Sequence, residues 1–427
     1  MEMPNFTPRL ETVSKDRYKI KFMDDGYPGK DLGDTVACHP IYGIYVIRDY
    51  LFQYKKTKDI NYQKAAIKVA DAAIQRMERF KNSLVFWYKA DSFFNSTSEA
   101  YYSGLTQAYY AEVLAQLYTS TKIDKYKEAA KKIYNSLKIP VSEGGVFHHS
   151  SKGPSIQEYP MSPNGYVLNG WLSAISSLKN YADLLQANDA TVFWRENLNT
   201  VCRLLPLYDA PLFANSRYTL NGSSTIKINA TRGNVELQEV NVNIPGEGMF
   251  ELVVDSKKNY ANYIDNNSVV QRGQKTFTKN HSALLSVLLS RFSYPEENEM
   301  IIRLVSNEAS SLKIAILRPT YSPKINKPPQ KYVSLEEIPI HKGENLVKVN
   351  IPWKHLDALA TPTTFKQFGS KWHNVYHFIH INRLEEFYAI TKDKRLLNYS
   401  KKWKKYVNSW KDLPLYKGLE LKPYNKK

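Results

Sequence analysis

The sequence predicts a multidomain α+β chain in which an (α/α) toroid of about four helical hairpins is interrupted by an antiparallel β-domain. Two periodicities carry this prediction. Apolar residues recur every three or four residues over 38–219, and they alternate with polar residues over 220–353. Residues 1–37 are expected to be irregular, and residues 354–427 to hold a linker and the last hairpin. The chain would complete the toroid after the insertion.

The helices are expected in four consecutive pairs joined by short polar turns. Two of these turns read Thr57-Lys58-Asp59 and Thr391-Lys392-Asp393, and an Asp before a helix is an N-cap residue. Ser162-Pro163 predicts the start of the fifth helix, with Ser as N-cap and Pro at the first helical position. Repeated hairpins indicate a toroid or helical repeat. The predicted helices are Pro40 to Lys55, Tyr62 to Phe80, Ser103 to Tyr118, Lys125 to Leu137, Pro163 to Leu185, Ala190 to Leu205, His377 to Ile390 and Lys394 to Trp410.

The segment 220–353 contains several alternating runs with Gly, Asn and Pro between them. This texture predicts an inserted antiparallel β-sandwich or barrel. We expect this domain to extend a ligand cleft or to contact other proteins. The runs are 225–228, 240–244, 250–254, 300–305, 313–317 and 346–351.

The charge of the chain favours an anionic partner. Lys and Arg number 59 against 41 Asp and Glu, a net charge of +18. The sequence shows no zinc-finger spacing, RNP-like motif or continuous basic arm, so an acidic polysaccharide is favoured over nucleic acid. A basic surface without a special partner is the alternative. The 31 tyrosines suit flat, hydroxylated ligands, although tyrosine also fills cores.

Cysteine usage and hydropathy exclude several classes. Cys38 and Cys202 are the two cysteines, so neither a disulfide framework nor a multi-thiolate metal site is implied. No apolar run reaches the length of a membrane span, and Met1 to Lys30 lacks a signal-peptide core. A complete chain would be cytoplasmic, whereas a chain trimmed of an N-terminal anchor would belong to the Golgi or the secretory route.

Polar residues gather at one end of the predicted array. Connections between hairpins lie opposite the turns within hairpins, so residues that precede odd-numbered helices share one end. Glu158 and Tyr159 precede the fifth helix, Tyr376 precedes the seventh, and Tyr218 follows the sixth. Ser103 and Gln107 open the third helix. If the hairpins close into a ring, these groups converge on one mouth.

Several of these motifs resemble the C-terminal catalytic region of the D-glucuronyl C5-epimerase family. Glu158-Tyr159-Pro160-Met161-Ser162-Pro163, continuing to Tyr166-Val167-Leu168-Asn169-Gly170, resembles one family element. Leu205-Pro206-Leu207-Tyr208-Asp209 resembles the stretch leading to the family's second tyrosine. Tyr376-His377 through His380-Ile381-Asn382 resembles the third-tyrosine element, and Tyr102-Ser103 with Gln107 resembles a helix opening. The resemblance covers about two thirds of the chain.

The resemblance implies conversion of glucuronate to iduronate within a heparosan- or heparan-type chain, without a cofactor. Inverting carbon 5 needs a base on one face of the sugar and an acid on the other. A phenol has a pKa of ~10, and a cationic pocket lowers this pKa so that the phenol can act as a base. Tyr159, Tyr376 and Tyr218 are the proton-transfer candidates, and Glu158 would orient a tyrosine or donate a hydrogen bond to the substrate carboxylate. The substrate-binding candidates are Ser103, Gln107, Asn169, Arg217, Trp372, His377, His380 and Asn382.

Departures from the family pattern leave other interpretations open. Arg217 precedes Tyr218 where the family has an arginine after its tyrosine, and Trp372 stands further from Tyr376 than expected. The β-domain follows the second tyrosine, whereas in the animal enzymes β-domains precede the helices.

Roles outside catalysis are open as well for some of these residues. Glu158 could simply cap a helix, and His377 and His380 could share a metal, although no third ligand is evident. A uronate lyase and a non-catalytic glycan-binding repeat protein are the alternative functions, and a homodimer is an open option.

Overall fold

A computed structural model describes most of the chain: residues 2–5, 19–90, 92–95, 99–252, 263–265, 276–280, 282–318, 320–324, 331–359 and 362–422. It confirms a mixed helical and β architecture. The chain divides into two compact units. The first unit comprises Met1–His149, Gly153–Pro160 and Asn169–Val201, and the second comprises Ser150–Lys152, Met161–Leu168 and Cys202–Lys427.

The described residues contain eight α-helices, at the places where the periodicity predicts them. They are α1 Tyr42–Thr57, α2 Ile60–Arg76, α3 Gly104–Thr121, α4 Asp124–Ser136, α5 Leu168–Leu185, α6 Asn188–Tyr208, α7 Val375–Thr391 and α8 Lys394–Ser409. Helices α1 and α2 pack together, as do α3 with α4 and α7 with α8. Trp171 Nε1 of α5 donates to Asn197 Oδ1 of α6 at 3.0 Å, which joins the third pair. Among the described residues no helix is both long and apolar enough to cross a membrane.

Three of the turns within hairpins share one hydrogen-bonded structure. In the first, Thr57 Oγ1 donates to Gln53 O at 2.8 Å and accepts from Asp59 N at 3.2 Å. Lys58 ends α1 in the left-handed region at φ 62°, and Asp59 caps α2 by accepting from Asn61 N. This confirms the predicted N-cap chemistry at Asp59. The same threonine pattern recurs at Thr121-Lys122-Ile123 and Thr391-Lys392-Asp393.

The predicted start of α5 is wrong. The helix begins at Leu168 rather than Pro163, and Ser162 is not its N-cap. The Ser162–Pro163 peptide bond is cis and Tyr166 has φ 51°, conformations that a helix cannot contain. Residues 165–168 instead bond to the segment after α6: Leu168 N donates to Tyr218 O at 2.9 Å, and Leu220 N donates to Gly165 O at 3.1 Å.

Short hairpins occupy three places where the sequence predicts another structure. The described part of the N-terminal segment forms a three-stranded sheet of β1 Ile20–Phe22, β2 Pro28–Asp31 and β3 Val36–Cys38, so it is not irregular throughout. The second helix ends at Arg76, and β4 Glu78–Phe80 pairs with β5 Ser83–Val85 where a longer helix is predicted. The expected linker contains a β20–β21 hairpin, Lys366–Phe368 with Lys371–His373.

Two small hairpins flank the α5–α6 pair. Strand β6 Phe147–Ser150 pairs with β7 Gly153–Ile156 before α5, and β8 Asp209–Ala210 pairs with β9 Asn215–Ser216 after α6. The segments that carry Tyr159 and Tyr218 follow directly. Tyr159 and Tyr218 therefore each follow a short hairpin rather than a long loop.

Residues 221–351 form two antiparallel sheets. The first has the order β13-β15-β10-β17-β18, and the second has the order β12-β11-β16-β19 with β14 beside β11. The bounds are β10 Asn221–Ala230, β11 Asn234–Ile244, β12 Gly248–Leu252, β13 Tyr263–Asp265, β14 Thr276–Thr278, β15 Ala283–Ser290, β16 Asn298–Ser306, β17 Ser310–Leu317, β18 Tyr332–Ile340 and β19 Gly343–Ile351.

One apolar cluster joins these two sheets. Alternate side chains of both sheets are buried in it, including Ile226, Val240, Ile302, Ile314 and Val349. Burying each such side chain contributes ~1.5–3 kcal/mol before the entropy of ordering is subtracted. All six predicted runs fall on strands, except that residues 253–254 lie outside the described residues.

Candidate active site

Glu158 and Tyr159 stand on the segment between β7 and α5, in the first unit. The Glu158 side chain is buried, Tyr159 is half-buried, and the Tyr159 hydroxyl hydrogen-bonds the Glu158 carboxyl. Burial raises the pKa of Glu158 to about 7, against the opposing effect of this hydrogen bond. The carboxyl therefore exchanges a proton near neutral pH, next to a tyrosine.

The local sequence leaves a defined space for this carboxyl. Gly104 N at the start of α3 donates to Glu158 O at 3.3 Å, which fixes the backbone. Gly170 lies in the first turn of α5, and a Cβ placed there would stand 2.0 Å from Glu158 Oε2. That oxygen is buried and makes no hydrogen bond within the described part of the chain. Because Gly170 has no side chain, the Glu158 carboxyl can occupy this position.

Asn169 and Ser103 are two further predicted substrate-binding residues, and their side chains differ in hydrogen bonding. Asn169 is buried in the first turn of α5, and its Oδ1 accepts no hydrogen bond among the described residues. Ser103 is the N-cap of α3 and accepts from Thr106 N at 3.4 Å. Asn169 keeps an unused acceptor, whereas Ser103 satisfies its own helix.

Gln107, a predicted substrate-binding residue, lies inside the first unit, and its substrate-binding role stays a prediction. Its side chain is fully buried, and its amide joins three parts of the first unit. Oε1 accepts from Phe86 N at 3.1 Å, and Nε2 donates to Leu84 O and Ser136 Oγ, both at 2.9 Å. The residue fastens β5 and α4 to α3, so it stabilises the fold.

A strip of aromatic rings leads to Tyr159, and the sequence reasoning missed it. Tyr159 meets Tyr101 edge-on with ring centroids 5.8 Å apart, and Tyr101 stacks on Tyr88 at 5.1 Å. His39 continues the strip, 5.7 Å from Tyr88 and 4.0 Å from Phe94. The high aromatic content of residues 86–102 was the available signal. Such rings can support the apolar face of a sugar.

In the second unit the structure brings Tyr218 and Tyr376 together. Their ring centroids are 5.1 Å apart, and both side chains are half-buried. Lys366 Nζ of β20 stands 5.0 Å from the centroid of the Tyr376 ring. A nearby ammonium group favours the ionised form of a phenol. Lys366 lies ten positions before Tyr376 and carries no motif, so the sequence gives no sign of it.

Two helix starts place these tyrosines. Asn374 caps α7 by accepting from His377 N at 3.2 Å, so Tyr376 lies in the first turn of that helix. The Tyr218 carbonyl accepts from Leu168 N, the first residue of α5. The positive end of a helix stabilises negative charge within its first turn, where Tyr376 lies.

The guanidinium of Arg217 is used in internal hydrogen bonds, and its predicted substrate-binding role stays a prediction. Its side chain is buried, and Nη1 donates to Asp357 O at 3.1 Å and Leu359 O at 2.7 Å. Neighbouring residues of an extended segment point to opposite sides, so Arg217 turns inward while Tyr218 turns outward. The guanidinium secures the loop after β19.

His377 and His380 also make internal hydrogen bonds, and their predicted contact with substrate stays a prediction. Both rings are fully buried, and burial lowers the pKa of His377 to about 4. Ser216 Oγ lies 2.7 Å from Nδ1 of each ring, and His377 Nε2 lies 3.2 Å from Trp403 O. Neutral imidazoles in this arrangement connect α7 to β9 and α8. No group of three or more metal-ligating side chains occurs in the described ranges.

Trp372 and Asn382 lie at the surface. Trp372 of β21 is half-buried, and Lys324 Nζ lies 5.3 Å from its ring centroid. Asn382 is exposed on α7. The site residues thus form two groups, Glu158 with Tyr159 and Asn169 in one unit, and Tyr218 with Tyr376 and Lys366 in the other.

Residues 76–244 match the sequence model of the family described as D-glucuronyl C5-epimerase C-terminus. The family resemblance is confirmed. The D-glucuronyl C5-epimerase of Caenorhabditis elegans is 29% identical over 109 residues, which are 23% of this chain and 18% of that protein. An uncharacterized protein of Methanocaldococcus jannaschii is 24% identical over 200 residues, which are 43% of this chain and 64% of that protein. The chain thus spans less than two thirds of either relative.

Two solved structures show a distant likeness. The GH76A alpha-1,6-mannanase from Salegentibacter sp. has a TM-score of 0.34 at 14% identity, over 47% of this chain and 52% of that chain. The endo-beta-1,4-glucanase CMCax from Acetobacter xylinum has a TM-score of 0.35 at 13% identity, over 48% of this chain and 59% of that chain.

Proposed function

We propose that the protein inverts carbon 5 of D-glucuronate residues within an acidic polysaccharide, giving L-iduronate. The family match over residues 76–244 is the observation that carries this proposal, since it covers Glu158, Tyr159 and Tyr218. The match points to an epimerase and does not favour the lyase or the binding-module alternatives. The toroid formed by the four hairpins and the β-sandwich formed by the two sheets belong to the same proposal.

The chemistry needs groups that remove and return one carbon-bound proton. Removing the proton at carbon 5 creates an enolate-like dianion, because the adjacent carboxylate takes up the electron pair. Tyr159 with Glu158 provides one proton-transfer pair. The carboxyl, with its pKa near 7, takes the phenol proton as the phenol takes the proton from carbon. Glu158 therefore acts through Tyr159 and must be ionised for this step.

Tyr376 provides the second proton-transfer group, with Tyr218 as its ring neighbour. Lys366 Nζ lies 5.0 Å from the centroid of the Tyr376 ring, and the ring stands in the first turn of α7, so positive charge surrounds the position where the substrate carboxylate would gain negative charge. The Tyr218 ring packs beside the Tyr376 ring, with the centroids 5.1 Å apart, and would help to hold it in place. In this proposal the β-segment 221–351 supplies no proton-transfer group.

The experiment is deuterium incorporation at carbon 5 of heparosan in heavy water. An epimerase leaves chain length unchanged, incorporates deuterium and produces iduronate, all detected by NMR. A lyase shortens the chain and creates unsaturated ends that absorb ultraviolet light. A protein that binds the polymer with neither exchange nor cleavage would contradict the proposal and support the glycan-binding alternative.

A further inference from the structure

Hydrogen bonds within the loop after β19, and others from the Arg217 side chain, fix the backbone of this loop. Leu356 N donates to Trp353 O and Leu359 N donates to Leu356 O, both at 2.8 Å. Arg217 Nη1 fastens the same loop through the carbonyls of Asp357 and Leu359. The side chains of this loop are therefore presented on a fixed backbone.

Arg291 is clamped beside this loop with part of its hydrogen-bonding capacity unused. Its Cζ lies 4.8 Å from the ring centroid of Tyr294 and 5.2 Å from that of Trp353. Trp353 Nε1 donates to Glu296 O at 3.2 Å, which fixes the indole. Arg291 Nε is buried and donates to no acceptor in the described part of the chain. A guanidinium stacked between two rings keeps its direction.

The charges around the loop are unbalanced. Arg318 Nη2 stands 3.7 Å from Asp357 Oδ2, a long ion pair with side chains 50% and 40% exposed. Asp357 also acts electrostatically on Arg217 and Arg291, and Lys354 is exposed on the loop itself. One carboxylate thus interacts with three arginines, and Lys354 adds a fourth cation to the same loop. Asp209 acts on Arg217 as well, but it already binds Lys402 at 2.5 Å.

Neighbouring titratable groups do not restore the balance. Burial, followed by the charges of Lys354 and Arg318, lowers the pKa of His355, so this ring is neutral at pH 7 and changes the charge balance in neither direction. Glu296 and Glu297 are exposed on the segment after Tyr294, where water solvates them. We name Arg291, Arg318 and Lys354 around Asp357 the loop cluster.

We propose that the loop cluster binds the carboxylate of a uronate unit in the polysaccharide, in addition to the unit that reacts. Arginine forks match carboxylate oxygens, and a rigid loop loses little entropy when it binds them. Tyr294, 44% exposed beside Arg291, offers a ring face to the apolar side of a pyranose. An anion attached to a sugar fits this pairing better than a free phosphate does. The inference rests on the proposed acidic polysaccharide substrate.

The test is a binding measurement that needs no turnover. The double variant Arg318→Ala/Lys354→Ala removes two exposed cations of the loop cluster. The matched control Lys313→Ala/Lys342→Ala removes two exposed cations elsewhere on the sheets. Fluorescence anisotropy with a labelled heparosan oligosaccharide at low salt should show the first variant about tenfold weaker, and the control changed by less than about twofold. Thermal melting verifies that both variants fold.

The carboxyl-reduced oligosaccharide is the second probe. It should bind the wild type and the loop-cluster variant equally, since the carboxylate is the group recognised. Equal weakening of both double variants, or equal loss with the reduced probe, would overturn the inference and leave only general charge attraction. Because binding is read without epimerisation, a protein that fails to exchange carbon 5 can still bind through the loop cluster, and the two proposals fail separately.

Discussion

The Glu158 carboxyl occupies space that exists because Gly170 has no side chain. A Cβ on Gly170 would lie 2.0 Å from Oε2 and 2.6 Å from Cδ of that carboxyl. The two residues lie twelve positions apart, on either side of a segment with a cis proline and a left-handed tyrosine. The family element therefore encodes a carboxyl held against a helix start.

Gly170→Ala should displace Glu158 and lower epimerase activity. Contacts below 3.0 Å force the carboxyl to move, whereas alanine itself favours the helix. We expect kcat/KM to fall at least about tenfold, because misplaced catalytic groups lose rate steeply. Alanine at Ser173, on the same helix and also buried, is the control for packing. Unchanged activity in Gly170→Ala would show that the position of Glu158 is unimportant.

Glu158→Gln should stabilise the protein at high pH and not at low pH. The folded-state pKa of Glu158 is raised from 4.5 to about 7, so the folded protein binds the proton more tightly than the unfolded chain. Stability from this group is present below pH 4.5 and is lost as the pH rises toward 7. At pH 8 the neutral glutamine should gain on the order of 2 kcal/mol over the wild type.

Thermal denaturation at pH 5 and pH 8 measures this difference. Glu344→Gln, at an exposed position of β19, should show no such pH dependence. In activity assays the wild-type rate should rise with pH through about 7 as Glu158 ionises, and Glu158→Gln should lose that limb. Equal gains at both pH values would mean that the buried carboxyl is not the cause.

Gln107→Ala should weaken the fold without a specific effect on catalysis. The substitution leaves Phe86 N and Leu84 O without their side-chain partner in a buried setting, which costs about 2–4 kcal/mol of unfolding free energy. Gln75→Ala, exposed on α2, should cost less than about 0.5 kcal/mol. Urea denaturation measures both. A stable Gln107→Ala variant with a raised KM would instead support the predicted substrate-binding role of Gln107.

Periodicity predicted the eight helices and six of the ten strands within 221–351, because it reports which faces are buried. It failed at Ser162-Pro163, which has the composition of a helix start, because Tyr166 at φ 51° lies between this pair and the first helical residue, Leu168. Strand β15 was missed because Ala283–Ser290 is nearly all apolar and does not alternate. The expected domain boundaries stay predictions.

Motif reading located the tyrosines better than it located their partners. Tyr218 and Tyr376 lie 158 positions apart in the sequence, so only the folded structure shows that their rings are neighbours. Arg217, His377 and His380 were chosen for their chemistry, but each is buried and used in internal hydrogen bonds. Residue type shows what a side chain can do, and burial determines whether it is available.

Binding of the polysaccharide should weaken with salt. A protein of net charge +18 attracts a polyuronate over distances that a Debye length of ~10 Å at 0.1 M cuts short. The Kd for heparosan should rise at least about tenfold between low and moderate ionic strength. Carboxyl-reduced heparosan is the control and should bind with little salt dependence. A salt-independent Kd for the charged polymer would separate the net charge from substrate binding.

Tyr→Phe substitutions at the candidate tyrosines should remove catalysis and leave the fold intact. Each removes one hydroxyl, so folding and polymer binding should change little. Epimerisation by Tyr159→Phe or Tyr376→Phe should fall about a hundredfold to ten-thousandfold, the usual scale for losing a general acid or base. Tyr388→Phe, on the same helix as Tyr376, is the matched control and should keep full activity.

Exchange at carbon 5 in heavy water then assigns the roles. A variant that retains one working proton-transfer group can remove the carbon-5 proton and return deuterium to the same face, giving exchange without inversion. Tyr218→Phe should lower the rate less than Tyr376→Phe does, because Tyr218 acts only through Tyr376. The centroids of these two rings are 5.1 Å apart. If Tyr159→Phe and Tyr376→Phe both fold, bind heparosan and epimerise at wild-type rates, the tyrosines are not the proton-transfer groups, and the chemistry must be sought in other side chains.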